Sequence, residues 1–262
     1  MGNTAPGHLR SAMDFGLSGR SAMVTGGGSG LGRAIAGLLC EQGCNVAIVD
    51  IDRACGETTA AELRRINPRT LFLHGDVASE PEVEEITRRI ASDFGGLDIA
   101  VNNAAVEGPV KPCGDYGWDD WNMVMGINAG GVFLCMKHQI PHLKASGGAI
   151  VNVSSAAGLK GHPLLPAYTA SKHAIIGLTR SAALAYAGDG IRVNAICPSS
   201  FRTAMSERIF GDRLDAHNGA TTPMGRQAGL REIALGVLYL CSDASSFVTG
   251  TTLSVDGGRG AG

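Results

Sequence analysis

Tyr168 and Lys172 stand four residues apart in a segment of helical pattern, so one helix face carries both side chains. A phenol with an ordinary pKa near ~10 is a poor base at neutral pH. A neighbouring ammonium stabilises the phenolate, and a cationic cofactor adds to the effect, so the pair has the chemistry of a general acid/base. Ser155, thirteen residues upstream at the end of a strand-like run, offers a hydroxyl for the same substrate oxygen. A packed tyrosine beside a solvated lysine uses the same spacing, and Tyr-x-x-x-Lys often arises by chance. Its position relative to a nucleotide-binding turn separates the two readings.

Such a turn lies near the start of the chain. Thr25-Gly26-Gly27-Gly28-Ser29-Gly30-Leu31-Gly32 joins a strand-like run to a helical one. Glycines there let the backbone turn sharply and approach a pyrophosphate, whose charge a helix N-terminus favours. The spacing fits T-G-x-x-x-G-x-G, with Gly26, Gly30 and Gly32 in place, better than G-x-G-x-x-G. A purely structural tight turn is the competing role, which the strand-before, helix-after context disfavours. Eighteen residues after Gly32, the second strand-like run ends at Asp50. An acid there accepts hydrogen bonds from ribose hydroxyls and repels a 2′-phosphate; a helix N-cap or solvated loop acid is the alternative. Ser29 and Ile51 stand where a basic clamp would be needed, and Arg53 is the one nearby cation. The expected cofactor is NAD rather than NADP.

These residues need a scaffold, and the hydrophobic pattern supplies it. Ser21–Thr25, Asn45–Asp50, Thr70–His74, Leu97–Asn102, Ala149–Ser154, Ile191–Ile196 and Thr252–Val255 read as strands without polar alternation, as strands covered on both faces do. Helical patterns occupy Leu31–Glu41, Arg53–Ile66, Glu80–Phe94, Trp118–Leu143, Ala170–Ala187 and Leu230–Cys241. The alternation predicts an α/β fold: a single doubly wound Rossmann-type domain over 17–262, with a mainly parallel seven-stranded sheet and helices on both faces. Residues 1–16 read as a flexible tail. The segment 199–223 reads as a mobile loop over a substrate. Leu164, Leu165, Phe201, Met205, Ile209 and Phe210 line an apolar pocket or belong to ordinary core and subunit contacts.

Composition excludes other classes. In 262 residues, 38 glycines at irregular spacing with 44% hydrophobic residues fit neither collagen nor a disordered chain. A net charge of -2 argues against nucleic acid or an anionic membrane as partner. Seven cysteines without a C-x-x-C pair read as free thiols in a reducing cytoplasm, not as a metal site. No apolar leader and no run of ~18 apolar residues is present, so neither secretion nor a membrane span is expected. HExxH and GxSxG are missing, and His162 and His173 read as packing or surface residues.

From Leu17 to Gly258 the chain resembles the short-chain dehydrogenases/reductases, with motifs in that family's order and spacing. Thr25–Gly32 resembles the cofactor loop, Asp76-Val77 the pair bordering the adenine, and Asn102-Asn103-Ala104-Ala105 the N-N-A-G stretch beside the central sheet. Asn128, Ser155, Tyr168 and Lys172 match the four catalytic positions. Pro198 and Thr203 match the segment that holds the nicotinamide carboxamide, and Val255-Asp256-Gly257-Gly258 the last strand and its exit. The resemblance implies cofactor contacts from Gly26, Ser29, Gly30, Leu31, Gly32, Asp50, Ile51, Asp76, Val77, Asn103, Ala104, Tyr168, Lys172, Pro198, Phe201 and Thr203. It implies reversible hydride transfer between NAD and a secondary alcohol, with Tyr168 as general acid/base and Ser155 holding the substrate oxygen. Lys172 lowers the Tyr168 pKa and binds the ribose, and Asn128 positions a water through its backbone. Gly130 and Gly131 fit a locally distorted helix after Asn128, although close packing explains them equally.

Two positions depart from the pattern. Ala105 replaces the glycine of N-N-A-G, and Ser199 that of a Pro-Gly pair, where a positive φ would cost about 1 kcal/mol. The expected substrate is a small alicyclic, diol or other apolar alcohol or its ketone, and the expected assembly a homotetramer. The rivals are an NADP-linked 3-oxoacyl thioester reductase and a catalytically idle nucleotide-binding scaffold of the same fold.

Overall fold

Short runs of Val, Ile, Ala and Met with no room for polar alternation pair into one sheet whose two faces are both covered. The computed structural model describes residues 15–143, 147–199, 201 and 222–261. Its strands are β1 (Ser21–Thr25), β2 (Asn45–Asp50), β3 (Thr70–His74), β4 (Ile99–Asn102), β5 (Gly148–Val153), β6 (Ile191–Pro198) and β7 (Thr252–Val255). They lie in the order β3-β2-β1-β4-β5-β6-β7, and every pairing is parallel. The strand order reverses between β1 and β4. A crevice opens beyond the carboxyl ends of the strands at such a switch point, where ligands bind in doubly wound sheets.

Successive residues of each strand feed opposite layers. Ala22 and Val24 of β1 join a core built on helices α1 (Gly30–Glu41), α2 (Arg53–Leu63) and α7 (Leu230–Cys241). Met23 between them points into the other core, against α3 (Glu80–Phe94), α5 (Gly131–Leu143) and α6 (Pro166–Tyr186). Helix α4 (Trp118–Met125) precedes α5. No helix among the described residues is long and apolar enough to cross a membrane.

Several boundaries differ from the periodic reading. The expected helix Trp118–Leu143 is broken by a π-turn at Gly126–Gly130, after which α5 begins. Gly131 packs so closely that a Cβ there would stand 2.8 Å from Val77 Cγ2. Helix α6 starts at Pro166 rather than Ala170, because a proline is already set for the first helical turn. Strand β5 ends at Val153, so Ser155 sits beyond it, as the N-cap of the 3₁₀ turn Ala156–Gly158. The chain is anchored two residues before the expected start of the domain at Leu17: Phe15 packs against the core, and its carbonyl accepts from Asp243 N at 3.3 Å. Residues 1–14 lie outside the described residues, as does most of the expected loop 199–223, including Thr203, Met205, Ile209 and Phe210.

Candidate active site

The glycine-rich turn is pinned from two directions. Asn103 donates from Nδ2 to the carbonyls of Thr25 (3.0 Å) and Gly26 (3.1 Å), and its own N–H donates to Thr25 Oγ1 at 3.0 Å. The tip of β1 is thereby tied to the exit of β4. Gly26 holds φ +61 with Ala104 Cα 2.9 Å from where a Cβ would stand, so both its torsion and its surroundings require glycine. A Cβ on Gly32 would overlap the Gly26 carbonyl. Ser29 is the N-cap of α1 but makes no capping bond, and it is exposed at the mouth of the turn. The first N–H groups of α1 therefore face outward without a side-chain partner from the cap, an arrangement suited to an anion.

Asp50, at the end of β2, accepts from Gly28 N at 2.8 Å and from Asp52 N at 2.9 Å. A carboxylate has about four acceptor sites, so capacity remains for a vicinal diol. Ile51 beside it is 64% exposed and presents a hydrocarbon face instead of a charge. Arg53 lines the groove between α2 and α3 and lies 3.8 Å from Glu57. Asp52, rather than Asp50, caps α2, accepting from Cys55 N at 3.0 Å.

At the other end of the same cleft, α6 brings Tyr168 and Lys172 beside Ser155. Tyr168 remains partly exposed. Burial pushes its phenol up to about 12; the hydrogen bond with Ser155 opposes the rise, and the charge of Glu107 adds to it. Lys172 is 2% exposed, and burial lowers its ammonium to about 8. Its Nζ donates to Val153 O at 2.9 Å and stands 5.4 Å from the centre of the Tyr168 ring. Burial is thus the largest influence on the Tyr168 phenol in the protein by itself.

The cleft has a volume of about 500 Å³. Gly26, Ser29, Gly30, Leu31, Asp50, Ile51, Asp76, Val77, Asn103 and Ala104 line its nucleotide end, and Ser155, Tyr168, Lys172, Pro198 and Phe201 the other. Gly32 lies behind the turn and Asn128 behind the wall, so neither faces the cleft. The lining also includes Val49, Gly75, Ala105, Val106, Ile127, Val153 and Ser154, of which only Ala105 had drawn attention in the sequence. A contact with a cleft wall follows from where strand ends converge, and no spacing rule marks it. Leu165 is buried, while Leu164 is 41% exposed. His162 Nδ1 accepts from Leu164 N, and His173 bonds the Thr169 carbonyl, so both imidazoles serve local backbone.

Ser199 continues the ladder beside β7: its N–H donates to Val255 O at 3.2 Å, and its Oγ accepts from Arg259 at 3.3 Å. The hydroxyl thus has a specific partner that a glycine could not hold. Below the cleft, Asn102, Gln139, Asn152 and Thr179 form a buried hydrogen-bonded network, with Asn102 Nδ2 to Asn152 Oδ1 at 2.9 Å and Asn152 Nδ2 to Thr179 Oγ1 at 3.0 Å. It ties β4 and β5 to α5 and to α6, the helix that carries the Tyr–Lys pair.

A doubly wound parallel sheet with a glycine turn and a free helix N-terminus at its switch point is that of the Rossmann-type nucleotide-binding proteins. Residues 26–259 match the adh_short_C2 family model, described as enoyl-(acyl carrier protein) reductase. The chain belongs to the short-chain dehydrogenase/reductase family. It is 42% identical over 246 residues to 2,5-dichloro-2,5-cyclohexadiene-1,4-diol dehydrogenase of Sphingobium indicum, covering 92% of this chain and 97% of that one. It is 42% identical over 240 residues to cis-4-hydroxycyclohexanecarboxylate dehydrogenase of Sinomonas cyclohexanicum, covering 91% and 96%. The solved structure of carveol dehydrogenase from Mycobacterium avium in complex with NAD superposes with a TM-score of 0.89 at 28% identity, covering 92% of this chain and 98% of that one.

Proposed function

We propose that the chain is an NAD-linked dehydrogenase that interconverts an alicyclic secondary alcohol, a diol among them, and its ketone. The observation that carries the reading is the joining of the glycine turn and the Ser155–Tyr168–Lys172 group in one cleft. Relatives named for cyclohexadiene-diol and hydroxycyclohexane substrates support the alicyclic class. A relative solved with NAD supports a nicotinamide cofactor.

The residues present fit such a cofactor. The crowding at Gly26 and Gly32 leaves bare backbone and the α1 N-terminus for a pyrophosphate. Asp50 would hold the adenosine ribose, Ile51, Asp76 and Val77 would border the adenine, and Asn103, Ala104, Pro198 and Phe201 would flank the nicotinamide half. When bound, oxidised nicotinamide supplies the hydride acceptor and a positive charge. Tyr168 takes the alcohol proton during oxidation and returns it during reduction. Ser155 holds the substrate oxygen beside the Tyr168 hydroxyl and stabilises charge developing there. Lys172 would hold the nicotinamide ribose and support the phenolate. Asn128, whose side chain is occupied elsewhere, contributes through its backbone. We extend the proposal to a homotetramer in the cytoplasm on the family resemblance.

Asp50 tests the cofactor half of the reading. Asp50→Ser combined with Ile51→Arg removes the acid and adds a cation, and is expected to shift the NADP/NAD ratio of kcat/KM upward at least tenfold. A wild-type preference for NADPH, measured in the same assay, would instead favour an NADP-linked 3-oxoacyl thioester reductase. Glu107 tests the acid/base half. Its carboxylate raises the Tyr168 phenol, so Glu107→Gln is expected to lower that pKa. The rising limb of alcohol oxidation against pH then moves to lower pH; a limb that stays put or moves up contradicts the role of Tyr168 as base.

A further inference from the structure

Ser171 lies between the two residues that carry the chemistry and is fully buried. Its hydroxyl donates to the Tyr168 carbonyl at 2.8 Å. By itself that bond means little, because serines inside helices often bond back to a carbonyl of the preceding turn. The second bond is different in kind. Ser171 Oγ accepts from Asn128 Nδ2 at 3.0 Å, and Asn128 comes from the π-turn, not from α6. Asn128 spends the rest of its amide on a single residue: Oδ1 accepts from Val106 N at 2.8 Å, and Nδ2 donates to Val106 O at 2.8 Å. Val106 lines the cleft opposite α6. A continuous set of hydrogen bonds therefore runs from the cleft wall at Val106, through Asn128 and Ser171, to the backbone of Tyr168.

The polarity of this relay is fixed throughout. Val106 N–H forces Asn128 Oδ1 toward the wall, which leaves an amide N–H for Ser171. Ser171, accepting that proton, has its own to give to Tyr168. Every N–H and O–H of the two buried side chains is used, and each of their oxygens accepts one bond. On the next residue Lys172 Nζ donates to Val153 O, so the turn that carries Tyr168 is held on one side to the π-turn and on the other to β5. We infer that Ser171 is a positioning residue of the proposed reaction, setting the distance between the Tyr168 hydroxyl and the substrate-facing wall at Val106 through Asn128. The inference rests on Tyr168 being the acid/base of the proposed function.

Removing the Ser171 hydroxyl strands one buried N–H of Asn128. Asn128 then releases Val106, or the turn of Tyr168 shifts to meet it. A displacement of ~1 Å at a reacting group can cost on the order of a hundredfold in rate. The test compares wild type, Ser171→Ala, Ser171→Thr and Tyr168→Phe, with cyclohexanol and cyclohexane-1,2-diol as probes. It measures kcat and KM against pH, and NAD affinity by titration. Ser171→Ala is expected to lose roughly 10- to 100-fold in kcat, with KM and NAD affinity little changed. Its oxidation limb is expected to move to higher pH as the phenol loses its fit to Ser155. Ser171→Thr, which keeps the hydroxyl, is expected to stay close to wild type. A Ser171→Ala variant with wild-type kcat and an unmoved limb overturns the inference. So does a Ser171→Thr variant as impaired as Ser171→Ala, since packing alone would then be at issue. Should Ser171→Ala lack a cooperative melt, Ser171→Cys decides: a lowered kcat with intact NAD binding supports the relay, and wild-type kcat overturns it. Full turnover by Tyr168→Phe overturns the proposed acid/base itself, a result distinct from any outcome at Ser171.

Discussion

Tyr168→Phe is expected to lower turnover of an alicyclic alcohol by roughly two to four orders of magnitude, with NAD affinity close to wild type. The ring remains, and only the hydroxyl beside Ser155 is lost, so the cleft keeps its shape. The phenol is pushed up to about 12 by burial, which leaves it protonated and hydrogen-bonded across the neutral range in the protein by itself. Positive charge brought to its oxygen lowers that value toward the working pH. The mutation thus removes a group whose effect is felt in the transition state, and the loss should fall on kcat rather than KM. Initial rates together with a binding titration separate these terms. Equal turnover by the variant would contradict Tyr168 as the acid/base, whereas absence of turnover by the wild type would favour a nucleotide-binding scaffold.

Lys172→Met is expected to abolish turnover to a similar extent while making the cofactor-free protein more stable. Lys172 is 2% exposed, and its pKa falls from 10.5 to about 8 because burial penalises the ammonium. The unfolded chain keeps the ordinary value. Between about 8 and 10.5 the unfolded chain binds this proton and the folded chain does not, so stability rises with pH through that window. Below about 8 the full cost of burying the charge is present, on the order of 3 kcal/mol. Methionine removes that cost but also loses the 2.9 Å bond to Val153 O, which offsets about 1 kcal/mol. The net gain of about 2 kcal/mol corresponds to a melting point higher by roughly 4–8 °C at neutral pH. The same variant should lose the rise in stability between pH 8 and 10.5, which melting curves at several pH values measure. A destabilised Lys172→Met would show that the ammonium is well solvated or paired, against its burial.

The parts of this molecule that are legible in its sequence are those set by local rules. Strands buried on both faces announce themselves as apolar runs, and β1 and β2 fall at their expected residues, as does the less buried β3. The glycine turn is visible because torsion and close approach act on neighbouring residues. The π-turn was half visible, through Gly130 and Gly131, but a 3.6-residue period carries no mark of one extra residue in a turn. Long-range polar partners are the illegible part. Nothing in the spacing says that Asn128 turns its amide to Val106 and Ser171, that Lys172 bonds Val153 O, or that Arg259 meets Ser199. Nor could it assign Arg53 to the groove beside α2. Each of these depends on which elements the topology brings together, and the pattern of one chain states only which elements exist.

The most direct test follows the reduced cofactor by absorbance while the purified protein is given NAD or NADP with a panel of cyclohexanols and cyclohexanediols, in parallel with Tyr168→Phe. The expected result is NADH formation with at least one of these alcohols, slower formation of NADPH, and almost none of either by the variant. NADH formed equally fast by Tyr168→Phe, or reduction of NADP alone, would contradict an NAD-linked alicyclic alcohol dehydrogenase acting through Tyr168.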